Sequence, residues 1–324
     1  DQLLVLRIDD APRPFKLEGK QGYGPAKGIW QTPYLEARGL VYLDQVHFTP
    51  DIDAGKVSVR ATLPPSVKGP LNVSVRFKTG DVPEKMTSFS AGEEEARFDI
   101  AIPSPRLWSP DDPFLYEVEV VLSRLNDPPA DGDRVSTYFG MRKVSVTRLP
   151  GTNHPWIALN NRPFYLQMAL DQAYHPDGFY TFPSDEFLRE EILRSRRIGL
   201  NAVRVHVKVE IPRKLYWADR LGLLIMEDVP NSWGEPDADM RREAETALRG
   251  MIRRDFNHPA IFSWVVFNET WGLVTKGKGY LPETQDWVRS MYRLAKELDP
   301  SRLVEDNSPC NYDHVDTDIN TWHA

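Results

Sequence analysis

Between residues 46 and 147, apolar and polar residues alternate in short runs that are separated by Pro, Gly and Asp. The apolar members of these runs are Val57, Val59, Ala61 and Leu63, then Leu71, Val73, Val75 and Phe77, then Phe98, Ile100 and Ile102, and finally Tyr116, Val118, Val120 and Leu122. A period of two is typical of strands that bury one face. We therefore predict an antiparallel β-sandwich over residues 46–147.

After a predicted linker at Leu149–Pro155, apolar runs without alternation take turns with helical stripes. The predicted strands are Phe164–Asp171, Asn201–Lys208, Leu223–Val229, Ile261–Phe267, Leu303–Asp306 and Asp318–Trp322. The predicted helices are one capped by Ser184, one over Arg213–Leu221, one that carries Ala244, Leu248, Met251 and Ile252 on one face, and one that carries Trp287, Met291, Leu294, Ala295 and Leu298. This order predicts a parallel sheet closed as a (β/α)8 barrel, with a doubly wound open sheet as the second choice. Only six of the eight units are expected within residues 148–324.

The first 45 residues contain two further apolar stretches. Leu4, Leu6 and Ile8 alternate with polar residues, and Tyr34–Glu36 follows a Gly- and Pro-rich segment. We predict a strand at each stretch. Because two strands alone would leave edges uncovered, we interpret residues 1–45 as the end of a β domain whose beginning is absent from this sequence.

Composition narrows the classes of partner. The formal net charge is −7 and no basic stripe is interleaved with aromatic residues, so we expect no nucleic-acid partner. No apolar run approaches membrane-spanning length, and we expect no membrane partner. A single cysteine, Cys310, excludes an intrachain disulfide and a cysteine metal cluster, and we interpret it as a structural thiol. Compartment and oligomeric state are left open, a homo-oligomer included.

The apolar run Ile261–Phe267 ends abruptly at Asn268 and Glu269. In α/β barrels the catalytic groups lie at the carboxyl ends of the strands, so Glu269 is the first candidate for chemistry. Polar or aromatic residues end the other predicted strands too: Asp171 and Gln172, Arg204, His206 and Lys208, Asp228, Asp306 and Asn307, and Trp322 and His323. Each has a structural interpretation when taken singly, but a barrel would bring all of them to one mouth.

Several kinds of chemistry lack a sequence signal. Neither GxGxxG nor GxxxxGK[ST] follows a predicted strand, and no serine nucleophile elbow is present, so we expect no nucleotide and no required cofactor. His206 and His323 with Asp171 or Asp228 leave a bound cation open, but no HExxH motif supports one. Carboxylates in a mouth with aromatic walls, supplied by Trp233, Trp271 and Trp322, favour glycoside hydrolysis.

Several motifs resemble those of one family, in that family's domain order. NHPAIFSWVVFNETWG at 257–272 is similar to the acid/base signature of glycoside hydrolase family 2, which contains β-galactosidases, β-glucuronidases and β-mannosidases. GIWQTPYLE at 28–36 resembles the end of that family's sugar-binding jelly-roll domain, and LWSPDDPFLYEVEV at 107–120 resembles its immunoglobulin-like domain. IALNNRPFYLQ at 157–167 resembles the entry to its barrel, and GLNAVRVH at 199–206 resembles the second strand of that barrel.

The resemblance implies three domains. They are the end of a jelly roll (1–45), an immunoglobulin-like sandwich (46–147) and the first six units of a catalytic barrel (148–324). It also implies that Glu269 is the general acid/base, that Asn268 binds the hydroxyl next to the anomeric carbon, and that Arg204 supports the catalytic carboxylates. His206 departs from the family's usual Arg-x-x-His spacing. The remaining expected substrate contacts are Asp171, Asp228, Trp271, Trp322 and His323.

The implied function is a retaining exo-β-glycosidase, β-galactosidase-like, that binds an oligosaccharide or β-glycoside. The family's nucleophile is a glutamate after the seventh strand, which this sequence does not contain, so we expect the 324 residues alone to be inactive. A general acid at Glu269 would need a raised pKa, and part of that shift normally comes from the negative charge of the neighbouring nucleophile. The alternatives are β-glucuronidase or β-mannosidase specificity, a non-catalytic carbohydrate-binding or scaffold protein, and a metal-dependent barrel hydrolase.

Overall fold

The structure is a computed structural model that describes residues 3–9, 11, 17–20, 28–79, 81–90, 92–125, 132–309, 312 and 314–323. Cys310 and residues 21–27 of the Gly- and Pro-rich segment lie outside these ranges. Within them, no helix is both long and apolar enough to cross a membrane.

The amino-terminal segment differs from its prediction. Residues 3–9 and 34–36 form no strand, and Leu4 and Tyr34 are 63% and 82% exposed. A strand needs a neighbour for its backbone hydrogen bonds, and in the described part of residues 1–44 only β1, Leu17–Glu18, has one. Its partner is Asn231–Ser232, far along the chain. Both predicted strands are therefore wrong: alternation marks a face that could be buried, but nothing described here covers it.

Residues 45–139 form the predicted sandwich. Its strands are β2 (Gln45–Asp51), β3 (Lys56–Thr62), β4 (Leu71–Phe77), β5 (Lys85–Ser88), β6 (Glu95–Ala101), β7 (Tyr116–Arg124) and β8 (Asp133–Phe139). One antiparallel sheet has the order β2-β3-β6 and the other β5-β4-β7-β8. The predicted apolar positions are buried between the sheets, apart from Phe77 and Phe98, which are half-buried. The period-two prediction is confirmed.

A small antiparallel sheet follows, with the order β11-β10-β9. It contains β9 (Val144–Arg148), β10 (Pro155–Leu159) and β11 (Arg162–Pro163). Arg148 pairs with Pro155 across the hairpin, and Leu149 N–H donates to His154 O at 3.0 Å. The predicted linker Leu149–Pro155 is therefore the loop of a hairpin, and its last residue begins β10.

Strands and helices then alternate as predicted. The elements are β12 (Met168–Asp171), α1 (Asp185–Arg197), β13 (Ala202–Val205), α2 (Pro212–Leu221), β14 (Leu224–Asp228), β15 (Asn231–Ser232), α3 (Ala238–Asp255), β16 (Ile261–Asn268), α4 (Pro282–Leu298) and β17 (Leu303–Ser308). The parallel sheet has the order β12-β13-β14-β16-β17. Neighbours in space follow chain order without a reversal, which is the arrangement of a barrel and not of a doubly wound sheet. Among the described residues the barrel does not close.

The predicted sixth strand, Asp318–Trp322, is not a strand. It runs beside β17 with two backbone hydrogen bonds, from Asp318 N–H to Val304 O at 2.9 Å and from His323 N–H to Pro309 O at 3.1 Å. The Asp318 carboxylate accepts the Val304 N–H at 2.9 Å and so occupies a donor that a regular ladder would use. This competition explains why the apolar pattern alone overpredicts a strand here.

Local signals explain the elements that position the site. The Ser184 hydroxyl accepts the Phe187 N–H at 3.1 Å, and acidic residues occupy the first turn of α1, as predicted. Every residue of β16 is buried, because this central strand has the apolar core on both of its faces. A buried strand of this kind delivers its carboxyl end, with Asn268 and Glu269, to a fixed place at the edge of the sheet.

Candidate active site

Glu269 is the first residue after β16 and has an unusual backbone. Its φ is +55° and that of Thr270 is +57°. The left-handed region costs roughly 1–2 kcal/mol for a residue other than glycine. Two contacts with β17 hold the turn: Glu269 N–H donates to Ser308 O at 2.8 Å, and Thr270 N–H donates to Asn307 Oδ1 at 3.0 Å. The turn redirects the Glu269 side chain out of the course of the strand.

Two side chains grip the Glu269 carboxylate, which is 26% exposed. Trp271 Nε1–H donates to Oε2 at 2.9 Å, and His323 Nδ1 lies 2.8 Å from Oε1. Burial acts to raise the pKa of Glu269, but the hydrogen bonds from Trp271 and His323 outweigh it and hold the pKa below its usual value. These partners favour the ionised form, and the raised pKa that a general acid needs beside the nucleophile's charge stays a prediction.

The side chain of Arg204, on β13, contacts side chains of the next three strands of the sheet, β14, β16 and β17. Its Nε and Nη2 donate to the Asp228 carboxylate at 2.8–3.1 Å, its Nη2 also donates to Asn268 Oδ1 at 2.8 Å, and its Nη1 donates to Ser308 Oγ at 2.8 Å. Burial alone would raise the pKa of Asp228, but the ion pair with Arg204 lowers it. We call Arg204, Asp228, Asn268 and Ser308 the Arg204 network. Its charges are paired at neutral pH.

Asn268 carries the spare donor of this network. Its Oδ1 is fixed by Arg204, which leaves Nδ2 with its two hydrogens. Nδ2 is buried and has no hydrogen-bond partner in the described part of the chain. A buried amide without a partner costs roughly 1–3 kcal/mol. A ligand hydroxyl would recover this cost.

His206 supports the Arg204 network without contacting Glu269. Its Nδ1 lies 3.3 Å from Asp228 Oδ2 but without the geometry of a hydrogen bond. Its backbone N–H donates to Asp171 O at 2.9 Å, and its side chain is almost fully buried. The structure thus places His206 behind Asp228.

Asp171 points away from the Arg204 network. In the parallel register Leu170 pairs with Arg204, and Asp171 pairs with Val205. Paired residues face the same side of a sheet and successive residues face opposite sides. Asp171 accordingly binds Lys214 Nζ of helix α2 at 2.5 Å. The structure does not bring Asp171 to the residues that hold Glu269.

Lys208 is similarly committed. Its ammonium donates to Ala173 O at 2.8 Å and lies 3.2 Å from Glu210 Oε1. The rings of Trp30, Tyr180 and Phe182 surround it at 5.1–5.4 Å. With 3% of its surface exposed, Lys208 is an internal ion-pair partner.

Aromatic surfaces flank Glu269. Trp271 is 42% exposed and packs edge-on against Trp233 at a ring-centre distance of 5.2 Å. Trp322 is 64% exposed and precedes His323, which contacts Glu269. Flat, partly exposed rings next to hydrogen-bonding groups suit the faces of a sugar.

Three residues at the site were missed at the level of sequence: Glu305, Ser308 and Thr321. Ser308 contacts both Arg204 and His323. The predicted fifth strand stopped at Asp306, but the strand runs on to Ser308. Glu305 is a charged residue inside the predicted strand Leu303–Asp306, which was the available signal. It is fully buried, and burial raises its pKa although Arg204 opposes the shift.

Asp306 and Asn307, also expected at the strand end, hold loops in place. Asp306 accepts from His314 Nδ1 and from the Val315 N–H, each at 2.7 Å, and Asn307 accepts from Thr270. Gln172 makes no side-chain contact with Glu269 among the described contacts. Within the described ranges, no group of three or more His, Cys, Asp or Glu side chains could hold a metal ion.

Known relatives are similar to this chain over most of its length. A β-galactosidase from Thermoanaerobacter pseudethanolicus is 26% identical over 282 residues, which are 85% of this chain and 35% of the relative. A β-glucuronidase from Rattus norvegicus is 26% identical over 301 residues, or 88% of this chain and 42% of the relative. This chain thus spans less than half the length of either relative.

A solved structure of similar fold is the family 2 β-galacturonidase from Eisenbergiella tayi bound to galacturonate. It matches with a TM-score of 0.68 at 23% identity, over 85% of this chain and 48% of that one. Residues 41–142 match the family model described as "Glycosyl hydrolases family 2", and residues 153–322 match the model described as "Glycosyl hydrolases family 2, TIM barrel domain". The chain therefore belongs to glycosyl hydrolase family 2.

Proposed function

We propose that the protein containing this chain is a retaining exo-β-glycosidase, β-galactosidase-like, in which Glu269 is the general acid/base. The observation that carries the proposal is the placement of Glu269 at the end of β16, gripped by Trp271 and His323 next to the unpaired amide of Asn268. A proton-transferring carboxyl is one of the two carboxyls that glycoside hydrolysis requires, and a spare donor and exposed tryptophan rings suit the binding of a sugar.

Each group has a distinct role in this proposal. Glu269 protonates the leaving glycosidic oxygen and later removes a proton from the attacking water. Asn268 Nδ2 donates to a sugar hydroxyl, while Arg204 fixes the amide so that Nδ2 faces the ligand. A second carboxylate about 5–5.5 Å away would attack the anomeric carbon in a retaining enzyme. In this proposal that carboxylate is the glutamate that the resemblance to the family places after the seventh strand of its barrel.

The test is Glu269→Gln in the full-length protein, assayed with aryl β-glycosides. The amide keeps the shape and loses the proton-transfer function, so we expect kcat to fall by about 10²–10⁴-fold. Azide should restore turnover of an activated substrate, because an anion can replace the missing base. Glu283→Gln, at an exposed position in the first turn of α4, is the matched control. Unchanged activity in Glu269→Gln would end the proposal.

Configuration and specificity need separate measurements. Proton NMR of the first product should show the β anomer for a retaining enzyme. The rat β-glucuronidase covers 88% of this chain, so β-glucuronides are the second candidate substrate. Aryl β-galactoside and aryl β-glucuronide should be compared directly. A full-length protein that hydrolyses neither of them, nor the β-mannoside, would favour a non-catalytic carbohydrate-binding role.

A further inference from the structure

A continuous chain of hydrogen bonds leads from Glu269 to a second, fully buried carboxyl, that of Glu305. His323 Nδ1 lies 2.8 Å from Glu269 Oε1, and His323 Nε2 lies 2.9 Å from Ser308 Oγ. Ser308 Oγ lies 3.0 Å from Thr321 Oγ1, which donates to Glu305 Oε1. His323 therefore bridges the Glu269 carboxylate and a path of two hydroxyls that ends on Glu305.

The donors in this chain can be assigned because each hydroxyl has one proton. Thr321 gives its proton to Glu305, so it must accept the proton of Ser308. Ser308 has then used its only proton and accepts from Arg204 Nη1 on one side and from His323 Nε2 on the other. It follows that His323 carries a proton on Nε2 in its cationic form, and in its neutral form when the exchanged proton is on Glu269.

We propose that Glu305, Thr321 and Ser308 are positioning residues that fix the proton of neutral His323 on Nε2 and leave Nδ1 to exchange a proton with Glu269. This inference rests on the proposed role of Glu269 as the acid/base. The proton on Nδ1 of the cationic imidazole passes to Glu269 Oε1, and from there to the leaving glycosidic oxygen. When Glu269 later takes a proton from water, it can return that proton to Nδ1, so the balance closes over one turnover.

The exchange also accounts for the lowered pKa of Glu269. An ionised Glu269 cannot protonate a leaving group, but an imidazolium 2.8 Å away can supply the proton. The tautomer is the condition for this supply, because neutral His323 with its proton on Nδ1 would have no lone pair there to take a proton back.

The other charges around the pair come from several elements. Three of them lie on the side of the Arg204 network, namely Arg204 of β13, Asp228 of β14 and Glu305 of β17. Two more, Lys20 and His314, lie in loops. Arg204 Nη1 lies 3.5 Å from His323 Nε2, but it donates to Ser308 Oγ at 2.8 Å. The guanidinium therefore reaches the imidazole through Ser308 and does not compete for Nε2.

The experiment reads the tautomer of the neutral imidazole directly, by long-range proton–nitrogen NMR of ¹⁵N-labelled Glu269→Gln, whose amide, like a protonated Glu269, can donate to Nδ1. Glu269→Gln should show His323 protonated on Nε2. When Thr321→Val is added, the proton of Ser308 loses its acceptor and turns to Nε2, so the main form should change to the Nδ1 tautomer. Thr321→Ser in place of Thr321→Val restores the hydroxyl and should restore the Glu269→Gln spectrum. Thr317→Val removes a hydroxyl from the same segment that is not part of this chain of hydrogen bonds, and it should leave the tautomer of His323 unchanged.

Thr321→Val is expected to keep its place, because the backbone N–H of Thr321 is bound by His314 Nε2 at 3.2 Å. An Nδ1 tautomer in Glu269→Gln, or an Nε2 tautomer retained when Thr321→Val is added to it and the protein is folded, would overturn the inference. If the variant with Thr321→Val fails to fold, the spectra of Glu269→Gln and of Glu269→Gln with Thr321→Ser still decide whether the proton is on Nε2. These spectra do not depend on turnover, so loss of the proposed function would appear separately, as a full-length protein without glycosidase activity.

Discussion

The two faces of the parallel sheet carry charge in different ways, although they alternate along the same strands. On one face, Arg204 and Asp228 form the network that reaches Glu269 through Ser308 and His323. On the other face, which the helices cover, Lys214 lies 2.5 Å from Asp171, 3.2 Å from Glu191 and 3.5 Å from Glu210. We call this second set, with Glu227, the helix-face cluster. A step of one residue along a strand decides which set a side chain joins.

The difference separates a site from a structural ion cluster. In the helix-face cluster one buried cation, Lys214, faces three carboxylates, and Lys214 and Glu210 are at most 1% exposed. In the Arg204 network the charges are paired as well, but Asn268 keeps an amide donor without a partner, and Glu269 is partly exposed. Removing Lys214, the cation of the first set, should therefore reduce stability, and removing the spare donor of the second should reduce binding.

The largest expected effect is on stability, from Lys214→Met. The variant would leave three carboxylates around an apolar side chain, and removing one partner of a buried ion pair costs about 3–5 kcal/mol. Urea unfolding at neutral pH measures this loss. Arg213→Met is the control in the same helix, because Arg213 pairs with Asp185 at the surface, where such a pair contributes about 0–1 kcal/mol. Equal losses in the two variants would contradict the structural role of the cluster.

The next effect is on activity, from Asn268→Ala in the full-length protein. Losing the hydrogen bond from Nδ2 to a sugar hydroxyl should lower kcat/KM by about 10–100-fold, which is about 1.4–2.7 kcal/mol. The free energy of unfolding should fall less in Asn268→Ala than in Lys214→Met, because Asn268 Nδ2 has no partner to lose among the described residues. Asn72→Ala, on a sandwich strand, is the control and should leave kcat/KM unchanged. If kcat/KM is unaffected in Asn268→Ala, the amide does not bind substrate.

A third prediction uses pH to examine the helix-face cluster. Burial, reinforced by the nearby charge of Asp255, raises the pKa of Glu227 well above its usual value. For a raised pKa, the contribution to stability is full below the unfolded value, near 4.3, and is lost as pH rises through the folded value. The side chain at this position does not titrate in Glu227→Gln. The free energy of unfolding of the variant should therefore rise relative to that of wild type as pH increases, by about 1–2 kcal/mol.

The comparison of Glu227→Gln with wild type isolates this group. Asp171 has a lowered pKa, because Lys214 outweighs burial, and its contribution is lost in the opposite direction, as pH falls. That term is common to both proteins and cancels in the difference. Parallel stability curves for the two proteins from pH 5 to pH 9 would show that Glu227 stays ionised in the fold. A difference that grows with pH is the expected result.

The sequence was sufficient where a pattern reflects which side of an element is covered. Period two in residues 46–147 and the unbroken apolar run of β16 both survive in the structure. The same argument failed at Leu4, Leu6 and Ile8, because alternation cannot supply a neighbouring strand. It also failed at Asp318–Trp322, where a side chain takes the backbone donor that pairing needs.

For the site, the predicted strand ends indicated which residues lie near one edge of the sheet, but not which face of the sheet each side chain is on. Asp171 and Arg204 both lie at predicted strand ends, yet the register turns them to opposite faces. The pKa of Glu269 could not be predicted in direction, because one of its partners, His323, is 54 residues away. Ser308 and Thr321 act through contacts between distant segments, for which a single sequence carries no periodic signal.

The smallest expected effect is on stability and concerns the backbone of the strained turn that presents Glu269. Thr270 has a φ of +57°, a region that asparagine adopts more readily than a β-branched residue. Thr270→Asn should therefore raise the free energy of unfolding by about 0.5 kcal/mol, after loss of the local bond from Oγ1 to Glu269 O. Thr246→Asn, which removes a similar local hydroxyl bond from helical backbone in α3, is the control and should give no gain. If Thr270→Asn is less stable than Thr246→Asn, the positive φ of Thr270 does not strain the turn. The contacts of the turn with Ser308 and Asn307 then outweigh the cost of this backbone conformation.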